Sequence, residues 1–539
     1  MAISVPAHKP RSFHRRAPDL PVGALDRRVA GIVVRHPAVG LAVAVVRRGQ
    51  PCSFHGYGLA DLASNTPISE DTVFRIGSVT KLFTAIAIVQ LWQRGLVDLD
   101  GPANDYLRSY RLIQDQPAWR PVTLRQLLTH TAGIPDARGV RDLLHASFTP
   151  SGGRPPHLSV KAGERLPSLA DYYGPGLRVV AEPGTAFAYS NHGYATLGQI
   201  VEDVSGLPLA DYFRAHVFDP LGMTHTDLAR SARVAPRLAT GYRVGRTGPR
   251  AVEDRDWIGA GQGSIYSTTR DMGRFVAALL AGGVNEHGRV LEPATLAMMF
   301  EPSFQPDPRI PGLGLGFFRS ETGGHRVVGH DGILPGFNSE LVLAPDDGVG
   351  IMAMTNGSSG AFSWLQGELD VLLRSLLAMP DGAEHRELPH HPEIWSGLCG
   401  RYGLPPSAAD LRQRVMLGAG VEVFVSGGRP MLRLLTPIPV LYRGLPLEPD
   451  DERDPYVFRL DTSRLGMAPP RVVFSQGPGG CVEALHTDLG GQPWSLIRRP
   501  KTDRWHRLLK MTLAALAAAG FTAVIRRRRP RGGTGSAVT

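Results

Sequence analysis

The sequence predicts an α/β (α+β) body in which an antiparallel sheet is flanked by helices, followed by a small β-barrel or sandwich. Three observations carry this. Residues 39–46 and 51–59 read as an opening β-hairpin. Runs of helical periodicity follow, and after them residues 325–329, 339–344 and 348–355 read as antiparallel strands, the last two joined at Pro345-Asp346-Asp347-Gly348. Helices enclosed between an early hairpin and late strands imply a sheet that draws strands from both ends of the body. Beyond residue 393 the pattern changes to short strands divided by turns, at 421–426, 430–435, 457–460, 471–475 and 481–486, the signature of a barrel or sandwich.

In chain order, residues 1–20 read as a flexible basic arm and 21–379 as the body. A buried helix carries Ser78 and runs to about Arg94, where Gly95 stops it. A short helix at 124–128 leads into the turn-rich loop Thr129-His130-Thr131-Ala132-Gly133-Ile134-Pro135. Residues 137–180 are rich in Gly, Pro and Arg and have little periodicity, which suits a wall or lid over a pocket. Helices are expected at 194–204 and 209–218, parted by Ser205-Gly206, and at 270–280, closed by Gly282-Gly283. Residues 380–392 form a polar, proline-bearing linker, 393–500 the β-rich domain, and 501–539 an apolar run with an arginine-rich tail.

The net charge of +10 invites a nucleic-acid partner, but its placement argues against one. Residues 501–539 carry +8 and residues 1–20 carry +3, which leaves the rest at −1. Basicity confined to the ends, next to an apolar run, suits an anionic lipid surface better than a groove tracking phosphates. Residues 511–525 hold no charge and as a helix span ~22 Å, or ~27 Å with Leu508, Leu509 and a snorkelling Lys510, against a hydrocarbon core of ~30 Å. A marginal transmembrane or interfacial anchor is expected there, with a docked amphipathic helix as the alternative. The membrane side stays open, because four arginines at 526–529 favour a cytoplasmic end while residues 1–21 show no secretory signal. Cys52, Cys399 and Cys481 are far apart, with no CxxC and no zinc spacing, so no metal or cofactor is expected.

Lysine usage singles out one residue. Of 59 Lys+Arg only five are lysine, and Lys81 alone lies in an apolar helix, within Ser78-Val79-Thr80-Lys81-Leu82-Phe83-Thr84-Ala85-Ile86. A buried lysine can lose its proton whereas arginine keeps it. Ser78 stands three residues earlier, one turn away on the same face. A hydroxyl beside a base of tunable pKa is what a serine nucleophile needs.

The segment Phe74-Arg75-Ile76-Gly77-Ser78-Val79-Thr80-Lys81 resembles the serine motif of the serine β-lactamase, penicillin-binding protein and esterase superfamily, closest to class C β-lactamases and their esterase and peptidase relatives. Tyr189-Ser190-Asn191 resembles its second motif and Gly329-His330-Asp331-Gly332 its third. Leu127-Leu128-Thr129-His130-Thr131-Ala132-Gly133-Ile134 and Gly263-Ser264-Ile265-Tyr266-Ser267-Thr268 are similar to further family segments, in the family's order. The likeness covers roughly residues 25–375. A lone Ser-x-x-Lys is weak; three motifs in order are strong.

The resemblance implies a serine β-lactamase-like fold and an acyl-enzyme on Ser78, with no cofactor. Lys81, its pKa depressed by burial, would take the serine proton, and Tyr189, lowered by a nearby lysine cation, would be a second base. Asn191 would donate to the substrate and steady the lysine, and the N–H groups of Ser78 and Ile333, the residue after Gly332, would form the oxyanion hole. His330 departs from the β-lactamases, whose lysine there supplies a fixed charge; a histidine near its ordinary value offers partial charge, and Asp331 could pair with it. The expectation is therefore a hydrolase of a small ester, amide or peptide. The alternatives are a D-amino-acid peptidase, penicillin-binding protein or β-lactamase, or a non-catalytic membrane-associated binding protein that no covalent probe would label. Oligomeric state stays open. His130 reads as a hydrogen-bonded structural histidine, the His390-His391 pair as solvated, and Gly312-Leu313-Gly314-Leu315-Gly316 as too poorly spaced for a phosphate loop.

Overall fold

A computed structural model describes residues 23–500 apart from 49, 51, 138–158, 380–387, 409, 418–419, 436–438 and 466. The expected arm at 1–20, the apolar run and tail at 501–539 and most of the 380–392 linker therefore lie outside the described residues. Among the described residues no helix is long and apolar enough to cross a membrane.

Seven antiparallel strands form the central sheet, in the order Phe318–Thr322, His325–Leu334, Phe337–Ala344, Val349–Thr355, Gly40–Arg47, Ser53–Asp61 and Thr66–Pro67. The early hairpin joins the late strands directly, with Leu41 opposite Thr355 and Arg47 opposite Val349. Strand Gly40–Arg47 shows why its sequence is apolar almost throughout. Ala42, Ala44 and Val46 face the large core. Leu41, Val43 and Val45 face a second core under helices Ala24–Arg35 and Ala361–Leu376. With both faces covered, no polar alternation survives.

Helix Thr80–Gln93 lies at the centre of the large core, and twelve of its fourteen residues, Thr80 through Leu91, are buried. A helix apolar on all sides must be enclosed on all sides. Helix Asn191–Ser205 packs on one flank and helix Thr269–Leu280 joins it to the sheet. Lys81 thus sits where a cation is costly because the whole helix is enclosed.

Several elements differ from the sequence expectation. Strand His325–Leu334 runs past Gly329, so the third motif lies within a strand. Helices Ala24–Arg35, Pro293–Phe300 and Ala361–Leu376 and strand Phe318–Thr322 are additional. Of the segment 137–180 expected as a wall or lid, residues 138–158 lie outside the described residues; among the rest, Ser159–Lys161 pairs with Arg255–Trp257, and Leu177–Val179 pairs parallel with Leu112–Gln114.

The barrel-or-sandwich choice resolves to a closed barrel of eight strands from Gly400–Gly403 to Trp494–Arg499, shut where Arg401 lies opposite Arg499. Val421, Val423, Leu432, Leu447, Phe458, Val472, Phe474, Leu485 and Leu496 form part of its core. Helix Leu411–Leu417, between the first two barrel strands, turns back onto the body. The barrel also docks through Ile310 of the body, packed with Val457 and Val473, and through the edge contact of Phe187 with Trp494 at 5.9 Å.

Candidate active site

Residues 77–79 form a single 3-10 turn that feeds helix Thr80–Gln93. The turn depends on Gly77, whose φ of +52° is left-handed, and a Cβ there would lie 2.9 Å from the Ile333 nitrogen. Gly332 is equally constrained, since a Cβ would strike the Ile76 carbonyl and the Ser339 hydroxyl. The Ser339 Oγ donates to the Ile76 oxygen at 2.8 Å. Two glycines and one hydrogen bond thus bring strand His325–Leu334 against the serine turn, placing the backbone of Ile333 beside Gly77 and Ser78.

Lys81 Nζ lies 3.0 Å from Ser78 Oγ. It also donates to Asn191 Oδ1 at 2.7 Å and to the Gln262 carbonyl at 2.7 Å. The rings of Tyr189 and Tyr194 stand 4.9 Å and 5.5 Å from the nitrogen. Burial brings the Lys81 ammonium down to about 7, against an upward pull from Asp136 and Asp331 and a further downward push from Arg412. Desolvation outweighs two acceptors and two ring faces, so a substantial fraction is neutral amine near pH 7.

Tyr189 touches the same serine through its hydroxyl, but its pKa is not lowered as expected. Burial, aided by the Asp331 charge, holds the phenol well above its ordinary value. It is a proton donor here, and a phenolate base is disfavoured. Asn191 Oδ1 accepts from Lys81, while its amide nitrogen donates to Asp136 Oδ2 at 2.6 Å.

His330 also departs from expectation. Its side chain is fully buried, and burial, with the Lys81 charge, brings it down to about 3. The ring stacks on Phe318 at 4.4 Å, and Nδ1 lies 2.7 Å from the Asp331 carbonyl oxygen, which assigns the hydrogen to Nδ1. Its Nδ1 stands 3.8 Å from the Asp331 carboxylate, so the main-chain bond dominates over the suggested side-chain pair. The third motif therefore presents no positive charge. Asp331 is the motif's acid beside the site; burial pushes its carboxyl up, against its own main-chain hydrogen bond and the Lys81 charge, and Glu340 opposite it in the next strand is held well above its ordinary value by burial.

His130 is buried, with Nδ1 accepting from the Ser190 nitrogen at 3.0 Å and its ring 4.3 Å from Tyr189, as a structural histidine requires. A Cβ on Gly316 would crowd Ala85 at 2.6 Å, so the glycine-rich 312–316 segment packs on the central helix. His391 bonds Glu393 at the surface. Among the described residues no group of three His, Cys, Asp or Glu side chains could hold a metal ion.

Two side chains at this site escaped the sequence reading. Asp136 accepts from the main-chain nitrogens of Asn191 and His192 at 2.6 and 3.2 Å, capping helix Asn191–Ser205 as a carboxylate favours. Arg412, from the barrel, pairs with Asp136 Oδ2 at 2.8 Å. Asp136 follows directly on the Thr-His-Thr loop segment, which was its only signal, and Arg412 had none. The group as a whole offers a hydroxyl with a base at 3.0 Å, a phenol in contact with that hydroxyl, and main-chain nitrogens at a helix start.

Residues 25–373 match a protein family described as Beta-lactamase. The chain is 24% identical over 317 residues to Penicillin-binding protein 4* of Bacillus subtilis (strain 168), covering 56% of this chain and 64% of that protein. It is 27% identical over 342 residues to a D-aminopeptidase of Gluconobacter oxydans (strain 621H), covering 62% and 59%. It therefore spans less than two thirds of either relative. Among solved structures, the octameric penicillin-binding protein homologue from Pyrococcus abyssi shares the fold over 89% of this chain and 100% of its own, with 22% identity and a TM-score of 0.55.

Proposed function

Since the chain belongs to the beta-lactamase family of serine hydrolases, we propose that it cleaves an ester or amide through an acyl-enzyme on Ser78. The observation that carries this reading is the enclosed Lys81 amine, brought to about 7 and 3.0 Å from the Ser78 hydroxyl. Neutral Lys81 takes the Ser78 proton as Oγ bonds to the substrate carbonyl carbon. The oxyanion settles between the N–H groups of Ser78 and Ile333. Tyr189 gives its phenolic proton to the leaving oxygen or nitrogen as that bond breaks, and the Lys81 ammonium replaces it. Neutral Lys81 then takes a proton from water as the water oxygen bonds to the acyl carbon, and returns it to Ser78 Oγ as the acyl bond breaks and the acid leaves.

The charge around the serine narrows the substrate. A neutral His330 and an acidic Asp331 offer nothing to a carboxylate beside the scissile bond, so neutral or amine-bearing esters, amides and peptides fit better than β-lactams. The D-aminopeptidase relative supports the amine-bearing end of that range.

A fluorophosphonate probe is expected to add its mass to the full-length protein, and Ser78→Ala to abolish the adduct. Hydrolysis of p-nitrophenyl esters and amino-acid amides should exceed that of nitrocefin. Unchanged labelling of Ser78→Ala sinks the acyl-enzyme; nitrocefin as the best substrate sinks the charge argument.

A further inference from the structure

Asp136 and Arg412 come from opposite sides of the interface between body and barrel, and neither belongs to a recognised motif. Helix Leu411–Leu417 reaches the site as a strap. The Leu411 nitrogen donates to the Ala137 carbonyl at 2.8 Å, the Asp136 nitrogen donates to Asp410 Oδ2 at 2.8 Å, and Gln413 Nε2 donates to the Phe187 carbonyl at 3.3 Å. Between them Arg412 donates to the Tyr189 carbonyl at 2.9 Å and pairs with Asp136 at 2.8 Å and Asp410 at 2.9 Å. One barrel side chain thus holds both the main chain of Tyr189 and the carboxylate under Asn191.

We propose that Arg412, supplied by the C-terminal barrel, is a positioning residue for the hydrolase site, acting on Lys81 through Asp136 and Asn191. This rests on the acyl-enzyme reading above.

The geometry fixes the direction of the relay. Asp136 accepts from the Asn191 main-chain and side-chain nitrogens, the His192 nitrogen and Ser190 Oγ, the last at 3.3 Å. An ionised carboxylate can only accept, so it must face the Asn191 NH2 group, which turns Oδ1 toward Lys81. Asp136 is almost wholly buried and would be costly as a lone anion. Although burial pushes it up, Arg412, with His192, holds it below its ordinary value. Arg412 also offsets part of the upward pull of Asp136 on Lys81. Without Arg412, an ionised Asp136 would keep Lys81 protonated and unable to accept from Ser78, and a protonated Asp136 would release Asn191.

The groups facing Lys81 are Ser78 on its own segment, Tyr189, Asn191 and Tyr194, the Gln262 carbonyl, and the charges of Asp136, Asp331 and Arg412. His330 and His130 are buried and neutral at this pH. Arg412 is the nearby positive charge from outside the body, and Asp136 and Asp410 outweigh its burial to keep it cationic.

The test uses full-length protein carrying 13C-lysine, in which only five lysines titrate, with the Lys81 signal identified by its loss in Lys81→Met. Arg412→Met is expected to move the Lys81 titration upward by about one pH unit, Asp136→Asn to move it downward, and the charge-balanced double variant to return it close to wild type. The rising limb of fluorophosphonate acylation against pH should follow. If Arg412→Met folds and leaves both curves in place, Arg412 merely docks the barrel and the inference is overturned. If that variant does not fold, Asp136→Asn decides, and an unmoved Lys81 there overturns it equally. Failure of wild-type protein to label at Ser78 removes the acyl-enzyme reading and the inference with it, whereas wild-type labelling with unmoved variants removes the inference alone.

Discussion

Lys81 couples function to instability. Its folded pKa of about 7 lies below the ordinary value near 10.4 of an unfolded lysine. Between those limits the unfolded chain binds more protons, so stability rises with pH; below about 7 the full penalty is present. Lys81→Met removes the penalty and leaves the Asn191 and Gln262 acceptors short of a donor, which offsets part of the gain. We expect a net gain of ~1–3 kcal/mol at pH 6, shrinking as pH approaches 10, with no turnover. Thermal melts of both proteins across that range check it; a gain that grows with pH would contradict the buried-amine account. Lys81→Arg keeps a charge that cannot cycle and should lose ~10³-fold or more in kcat. The serine, lysine, tyrosine and asparagine of this site were legible because each sits in a short local pattern. The neutrality of His330 was not, because it depends on Phe318 from a neighbouring strand. Asp136 had only its place after the Thr-His-Thr segment as a signal, and Arg412 had none, because a contact across domains leaves no local trace.

At the scale of elements, the site is a close approach of one strand and one turn. Gly77→Ala should cost ~1–2 kcal/mol for its left-handed backbone and press a methyl against Ile333, lowering kcat by ~10²-fold through a displaced oxyanion donor. Gly95→Ala is the matched control. Its φ of +72° carries the same backbone term, but nothing lies within 4 Å of a Cβ there, so stability should fall similarly with activity unchanged. Paired melts and ester kinetics separate the two; equal activity losses would show that the approach to Ile333 is unimportant. Elements with clear terminal signals were readable from sequence: Gly95 closes the central helix, and Gly206 ends helix Asn191–Ser205 with a left-handed φ. Helix Ala24–Arg35 lacks a side-chain cap at its start, carries Gly31 and a β-branched Ile-Val-Val run, and has only Val29 and Ile32 buried. Strand Phe318–Thr322 is a sheet edge with mostly half-buried polar positions, so no apolar run announces it.

At the scale of the molecule, the sheet topology was legible because strands at both ends were apolar on both faces, and the second unit was legible as a small β-barrel or sandwich because its turns recur, closure showing only in the strand pairing. How the two units meet was not, since their interface is built from single residues. Arg309 is one of its polar contacts, apart from the strap that carries Arg412. It holds Asp307, whose side chain is almost fully buried, with the two groups at 2.7 Å, and reaches across to Asp454 at 2.9 Å and the Phe474 carbonyl at 3.2 Å. Ile310 follows it into the cluster of Val457 and Val473. Removing the guanidinium leaves Asp307 enclosed without its partner, a change that typically costs ~3–5 kcal/mol when an ion pair is well buried and less here because Arg309 is partly exposed. That loss falls on docking, since the sheet and the barrel keep their own cores. Arg309→Ala is therefore expected to split calorimetric unfolding into two transitions. Activity should fall as the barrel, and with it helix Leu411–Leu417, leaves the body. Restoring the apolar contact alone, with Arg309→Met, should recover less than Arg309→Lys, which keeps a cation for Asp307. A single unshifted transition in Arg309→Ala would place the strength of the interface in the strap and in Ile310.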